Sequence, residues 1–96
     1  MLNVLKDSVI GEYEANIDGD IHRAVLAKNG ISEWYLEGKK TKEYKWRIVE
    51  GEIHIIYEFI THVYRINKDK GITYIAYIRD EERTGAPKDY HYTYKR

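Results

Sequence analysis

Val25 to Ile55 reads VLAKNGISEWYLEGKKTKEYKWRIVEGEIHI, three short alternating runs parted by turn signals at Asn29-Gly30, Glu37-Gly38-Lys39 and Glu50-Gly51. Alternation at period two sends successive side chains to opposite faces of a strand, and Gly-containing turns supply the positive φ that tight reversals need. The stretch is therefore expected to be an antiparallel meander. A two-residue turn at Asn29-Gly30 sets Val25 across from Trp34 and Arg23 across from Leu36. A polar loop from Glu37 to Thr41 sets Trp34 against Tyr44 and Ser32 against Trp46. The turn at Glu50-Gly51 sets Ile48 against Ile53, Trp46 against Ile55 and Tyr44 against Tyr57.

Working outward, Val9 to Asn16 is a strand, and a three-residue loop at Ile17-Asp18-Gly19 places Tyr13 opposite Arg23. Met1 to Lys6 is a helical turn or a loose tail whose Leu2, Val4 and Leu5 are free to cover an apolar surface. Downstream, Glu52 to Asn67 carries no Gly, Pro or Asn before its end, so its reversal rests on pattern. A turn at Phe59-Ile60 keeps one face apolar, pairing Tyr57 with His62 and Ile55 with Tyr64; one long bent strand is the alternative. The Asn67 to Gly71 loop then pairs Tyr64 with Tyr74 and His62 with Ala76, and a polar loop from Asp80 to Asp89 leads to a last strand with Tyr90, Tyr92 and Tyr94 on one face. Residues 1–96 read as a single all-β domain, an eight-stranded antiparallel up-and-down meander. Pairing the last strand with the first makes it a small barrel whose interior is filled or holds one small ligand, and an open curved sheet or a flattened sandwich is the competing arrangement.

Sixteen basic and sixteen acidic residues cancel, so no global field favours nucleic acid or an anionic membrane, and neither is expected as a partner. Without cysteine there are no disulfides and no thiolate metal sites. The N-terminal apolar segment is too short and too interrupted by Lys6 and Asp7 for a signal peptide, which predicts a cytoplasmic protein, or a secreted one if a signal has been removed. Ten tyrosines, two tryptophans and one proline make a β-rich, aromatic-lined composition.

At Gly11-Glu12-Tyr13 the chain resembles lipocalin-like (calycin) proteins, whose first strand opens with a Gly-x-Trp motif. The meander order and the tyrosine-rich last run ending in Lys95-Arg96 are similar as well. The chain departs from that pattern in carrying Tyr13 where the family has Trp and in being much shorter. The resemblance implies a lipocalin-like mini-barrel in which Tyr13 closes the base and Arg96 is the basic group packed against it.

Arg23 falls on the apolar face in this register, and a buried charge needs a partner. It is the candidate anchor for a ligand carboxylate or phosphate, or else it snorkels at the rim or pairs internally. Trp34, Tyr44, Trp46, Tyr57, His62, Tyr64, Tyr74 and Tyr92 share that face, as a polar-laced core or as the wall of a pocket for a small hydrophobic or amphipathic ligand. On the opposite face Ile56, Val63 and Ile75 form an expected row, with Tyr77 beside it and Phe59 and Ile60 at the hairpin tip. Such a patch suits a homodimer interface, or a surface covered by the N-terminal segment. His54 and Glu58, with His22 and His91 elsewhere, have no metal-ligand spacing, and no cofactor is expected. Ser8 and Ser32 lack adjacent bases, and no nucleophile elbow or P-loop occurs, so no catalytic residue is assigned. The expected role is non-enzymatic binding, and the rival is an interaction module with a filled core that self-associates.

Overall fold

A computed structural model describes residues 4–96. The expectations for Leu2 and for the side chain of Val4 lie outside the described residues. Helix α1 spans Val4–Val9, followed by strands β1 Gly11–Ile17, β2 Asp20–Leu26, β3 Ile31–Leu36, β4 Lys39–Val49, β5 Glu52–Tyr57, β6 Ile60–Ile66, β7 Ile72–Arg79 and β8 Glu82–Gly85. A short 3-10 turn at Lys88–Tyr90 leads to β9, Thr93–Tyr94. β1 to β8 lie side by side in chain order, all antiparallel, and curl into an open half-barrel.

The last residues stitch one end of this half-barrel together. β9 pairs with the first part of β7, Ile72 with Tyr94 and Thr73 with Thr93, on the edge that β8 occupies farther along. One residue on, Lys95 and Glu14 exchange backbone hydrogen bonds of 2.7 and 2.8 Å, joining the C-terminal segment to β1. The last strand thus touches the first through this single bridge, rather than along its length. The segment from Asp80, expected as one loop, contains β8, because Asp80 and Glu81 form a tight turn with φ of 53° and 64°.

Turn chemistry corrects the register at the first hairpins. Asp18-Gly19 is a two-residue turn with φ of 53° and 88°, both positive as a type I′ turn requires, so Tyr13 faces Ala24 and Glu14 faces Arg23. Asn29-Gly30 is not such a turn. Only Gly30 takes a positive φ, 84°, while the Asn29 side-chain oxygen accepts from the Ile31 amide at 3.0 Å, giving a three-residue loop that pairs Ala24 with Trp34. β2 is therefore turned over relative to the expectation. Ala24 and Leu26 are inside, and Arg23 is outside. At the next hairpin the turn is Glu37-Gly38, not a five-residue loop, and a bulge beside Trp34 and Tyr35 brings Ser32 opposite Tyr44. The pairing of β4 with β5 is as expected, with Trp46 across from Ile55 and Ile48 across from Ile53.

β5 and β6 turn one residue earlier than expected, at Glu58-Phe59, which pairs Ile55 with His62 and Ile53 with Tyr64 without changing faces. A bulge between Val63 and Tyr64 then shifts the β6–β7 register. Tyr64 faces Tyr74, Ile75 has no partner in the pairing, and Val63 faces Ala76. Beyond the bulge β7 is turned over, so Tyr77, opposite His62, looks into the half-barrel.

The core fills the stitched end. Val9 from α1 joins Tyr13, Ala24, Leu26, Trp46, Ile53, Ile55, Ile72 and Tyr94 in one buried cluster. A smaller buried spot lies on the opposite face, where Val63 and Ala76 are 0% and 2% exposed beside the buried His54. There Glu52 on β5 accepts a two-pronged bond from Arg83 on β8, at 2.7 and 2.8 Å, and the pair bridges the intervening β6 and β7. Among the described residues no helix is long and apolar enough to cross a membrane.

Candidate functional site: an aromatic cavity

Curling of the sheet leaves a cavity of about 440 Å³ on its concave side, above the packed end. Trp34 on β3, Tyr44 on β4, Ile55 on β5, His62 and Tyr64 on β6 and Tyr74 on β7 supply one wall. Tyr90, Tyr92 and Tyr94 of the C-terminal segment supply the other. The strand residues reach the same space because each occupies an inward position of the period-two alternation. The tyrosines of the C-terminal segment arrive there because β9 lies along β7, and the Tyr74 amide bonds the Tyr92 carbonyl at 3.0 Å.

The rings brace one another. Trp34 stands edge-on to Tyr94 at 5.8 Å and tilted to Tyr64 at 6.0 Å, and Tyr64 lies 5.4 Å from Tyr74. These separations are those at which aromatic pairs add favourable energy beyond their buried area. Trp34 is further fixed by its indole N–H, which donates to the Ser32 hydroxyl at 2.9 Å, and that hydroxyl donates to the Tyr44 carbonyl at 2.9 Å. His62 Nδ1 and the Tyr74 hydroxyl are 3.2 Å apart, within hydrogen-bond range.

The electrostatics of the wall are those of a neutral surface. Burial lowers the His62 pKa below its ordinary value, favouring the uncharged ring at neutral pH. Burial pushes the Tyr64 hydroxyl well above the usual tyrosine value and the Tyr94 hydroxyl up to about 12. Tyr74 is raised by burial and, to a lesser degree, by neighbouring Tyr77. The cavity therefore offers flat apolar area edged with hydroxyl and imidazole groups, with no charge on its lining.

Of the residues singled out in the sequence, Trp34, Tyr44, His62, Tyr64, Tyr74 and Tyr92 meet in this cavity. Trp46 lies deeper, 3% exposed, with its indole N–H donating to the Ala27 carbonyl at 2.9 Å. Tyr57 stands outside the cavity lining, edge-on to Tyr44 at 4.7 Å, and walls a second groove with Glu43, Tyr44, Lys45, Ile56 and Glu58. Arg23 does not reach the cavity. The two-residue turn at Asp18-Gly19 puts it on the outer face, where its guanidinium lies 4.4 Å from the Tyr35 ring centroid and 3.5 Å from Glu12. Ile55, Tyr90 and Tyr94 were not singled out as ligand residues. The alternation of tyrosines in the last run was the available signal for the latter two.

The apolar row expected on the outer face is not there. Ile56 pairs with Thr61 rather than with Val63, Val63 is fully buried between His54 and Ala76, Ile75 sits at the bulge and Tyr77 faces inward. Ile60 is partly buried, and Phe59 at the β5–β6 tip is 84% exposed.

Opposite the cavity mouth the end is shut. The Tyr13 hydroxyl donates to the Val9 carbonyl at 2.5 Å, and the Arg96 guanidinium lies 5.1 Å from the Tyr13 ring centroid. Two of its nitrogens donate to the Ser8 and Ile10 carbonyls, each at 2.6 Å. Gly11, with φ of 147°, leaves room for this side chain, since a Cβ there would come within 2.5 Å of Arg96 Nη2. The contact that the resemblance assigned to Tyr13 and Arg96 is thus present.

No family model, curated protein or solved structure matches this chain. Among the described residues no group of three or more His, Cys, Asp or Glu side chains is arranged to hold a metal ion.

Proposed function

We propose that this chain is a binding protein that holds a small apolar or amphipathic molecule in the aromatic cavity, and that it is a lipocalin-like module reduced to a half-barrel. The single observation that carries the binding reading is the cavity itself, about 440 Å³ walled almost wholly by rings, beside an end that is fully packed. Pockets for small ligands are concave and mostly apolar, with a few convergent polar groups that fix orientation. Here those groups are the His62 and Tyr74 pair and the hydroxyls of Tyr64 and Tyr94. The packing of Arg96 on Tyr13 and against Gly11 supports the lipocalin-like kinship, with Tyr13 standing where that family has Trp.

Decanol is a suitable neutral probe, and amide and indole resonances followed by two-dimensional NMR report where it goes. The expected result is saturable shifts at the Trp34 indole N–H and at the amides of Tyr44, Tyr64 and Tyr74, with the Trp46 indole N–H unmoved. Absence of saturable shifts, or shifts scattered over the outer face, would overturn the reading.

A further inference from the structure

The corrected register leaves the concave face with a different cation from the one the sequence suggested. Lys42 sits on β4 directly across from Trp34, and one inward position out from Tyr44. Its ammonium lies 5.6 Å from the centroid of the Tyr57 ring, which is itself edge-on to Tyr44. Lys42 therefore stands just outside the cavity, beside the Tyr57 ring that packs on the lining residue Tyr44.

Four other cations are engaged elsewhere. Lys40 is held by Glu43 and Glu33, Arg23 by Glu12, Arg83 by Glu52 and Arg96 by backbone carbonyls. Among the described residues Lys42 makes no ion pair. Arg79, which shares the inner face, stands across from Glu82 in the β7–β8 register, which places an acidic residue next to it. A charge cannot enter the neutral, ring-lined interior without losing its hydration, so a charged head group must remain at the mouth.

We propose that the cavity selects anionic amphiphiles, a monocarboxylate on an apolar tail, with the tail among the rings and the carboxylate at Lys42. The assignment rests on the binding function proposed above and adds the head-group chemistry. An ammonium over an aromatic face is already held by the ring quadrupole, and a carboxylate on its solvent side completes the pair without moving the lysine. A single ammonium suits one negative charge rather than a phosphate dianion.

Decanoate, decanol and decylamine share a tail and differ only in head group, which isolates the contribution of Lys42. Their dissociation constants, measured by calorimetry at low salt, are compared in the parent, Lys42→Met and Lys42→Glu. The parent is expected to bind decanoate about threefold to fivefold more tightly than decanol, as suits one exposed ion pair. Lys42→Met should lose that preference while keeping its affinity for decanol, and Lys42→Glu should favour decylamine. The same preference for decanoate in Lys42→Met, or none in the parent, overturns the head-group assignment alone. Failure of decanol to bind the parent removes the binding function and this inference together.

Discussion

Tyr13 and Tyr64 lie in the same half-barrel and are both buried, yet they do different work. At the stitched end Tyr13 is 0% exposed, its hydroxyl is spent on the Val9 carbonyl and Arg96 lies over its ring. Toward the mouth Tyr64 is 8% exposed, packs against Trp34, Tyr74 and Tyr94, and turns its ring to the cavity. Composition does not separate core from wall here. The difference comes from what caps each end. α1, Gly11 and the C-terminal Arg96 close one, whereas the short β8 and the exposed Tyr90 leave the other open.

The largest effect should come from emptying the closed end. Replacing Trp46 or Tyr13 with Ala is expected to cost about 3 to 5 kcal/mol, a large fraction of the stability of a domain this size. Tyr90→Ala, at the mouth and 53% exposed, should cost well under half of that. Urea unfolding of the three variants checks the contrast, and equal losses at both ends would erase it.

A smaller effect is expected at the cap. Gly11→Ala forces a Cβ onto a positive φ and against Arg96, which should destabilise by about 1 to 3 kcal/mol. Arg96→Met removes two charge-assisted bonds to carbonyls at a solvent-exposed site and should cost about 1 kcal/mol. Because the two side chains meet, the losses in the double variant should fall short of additive. Strict additivity would mean that Arg96 does not cap Gly11.

Acid should weaken the protein through its buried histidines. His54 is depressed chiefly by burial, against the pull of nearby Glu52, and His62 by burial alone. A depressed value means that the unfolded chain binds more protons, so the contribution is complete above the ordinary histidine value near 6.5 and is lost as pH falls through the lower folded values. Melting temperature should fall between pH 7.5 and 5, and less steeply in His62→Phe. An unchanged slope in that variant would remove His62 from the account. The smallest effect belongs to Phe59→Ser, which should stay within about 0.5 kcal/mol because that ring is 84% exposed.

The inward face was legible in the sequence wherever turn errors did not change its parity. Reading Ile17-Asp18-Gly19 as a three-residue loop and Asn29-Gly30 as a two-residue turn made two one-residue errors of opposite sign. They cancel at β3, so Ser32 and Trp34 came out inside, and only β2 between them was turned over, carrying Arg23 with it. Asp18-Gly19 carried the correct signal, because Asp-Gly favours the type I′ turn as Asn-Gly does. The bulge at Val63 and Tyr64 has no comparable mark. Nothing in Tyr64-Arg65-Ile66 or Thr73-Tyr74-Ile75 announces an unpaired residue, and the expected apolar row at Ile56, Val63 and Ile75 rested on its absence. The cavity was half legible, since the tyrosines of the last run are plain in the sequence while their path along β7 depends on β8 turning away first.

Selective access to one tryptophan tests the central claim most directly. Trp46→Phe leaves Trp34 at the cavity wall as the sole indole, and Trp34→Phe leaves Trp46 in the packed end. Acrylamide should quench the emission of Trp34 more steeply than that of Trp46, and saturating decanol should shield Trp34 while leaving Trp46 unchanged. Equal quenching of the two, or a Trp34 as sheltered as Trp46 before any ligand is added, would contradict an open aromatic cavity above a closed base.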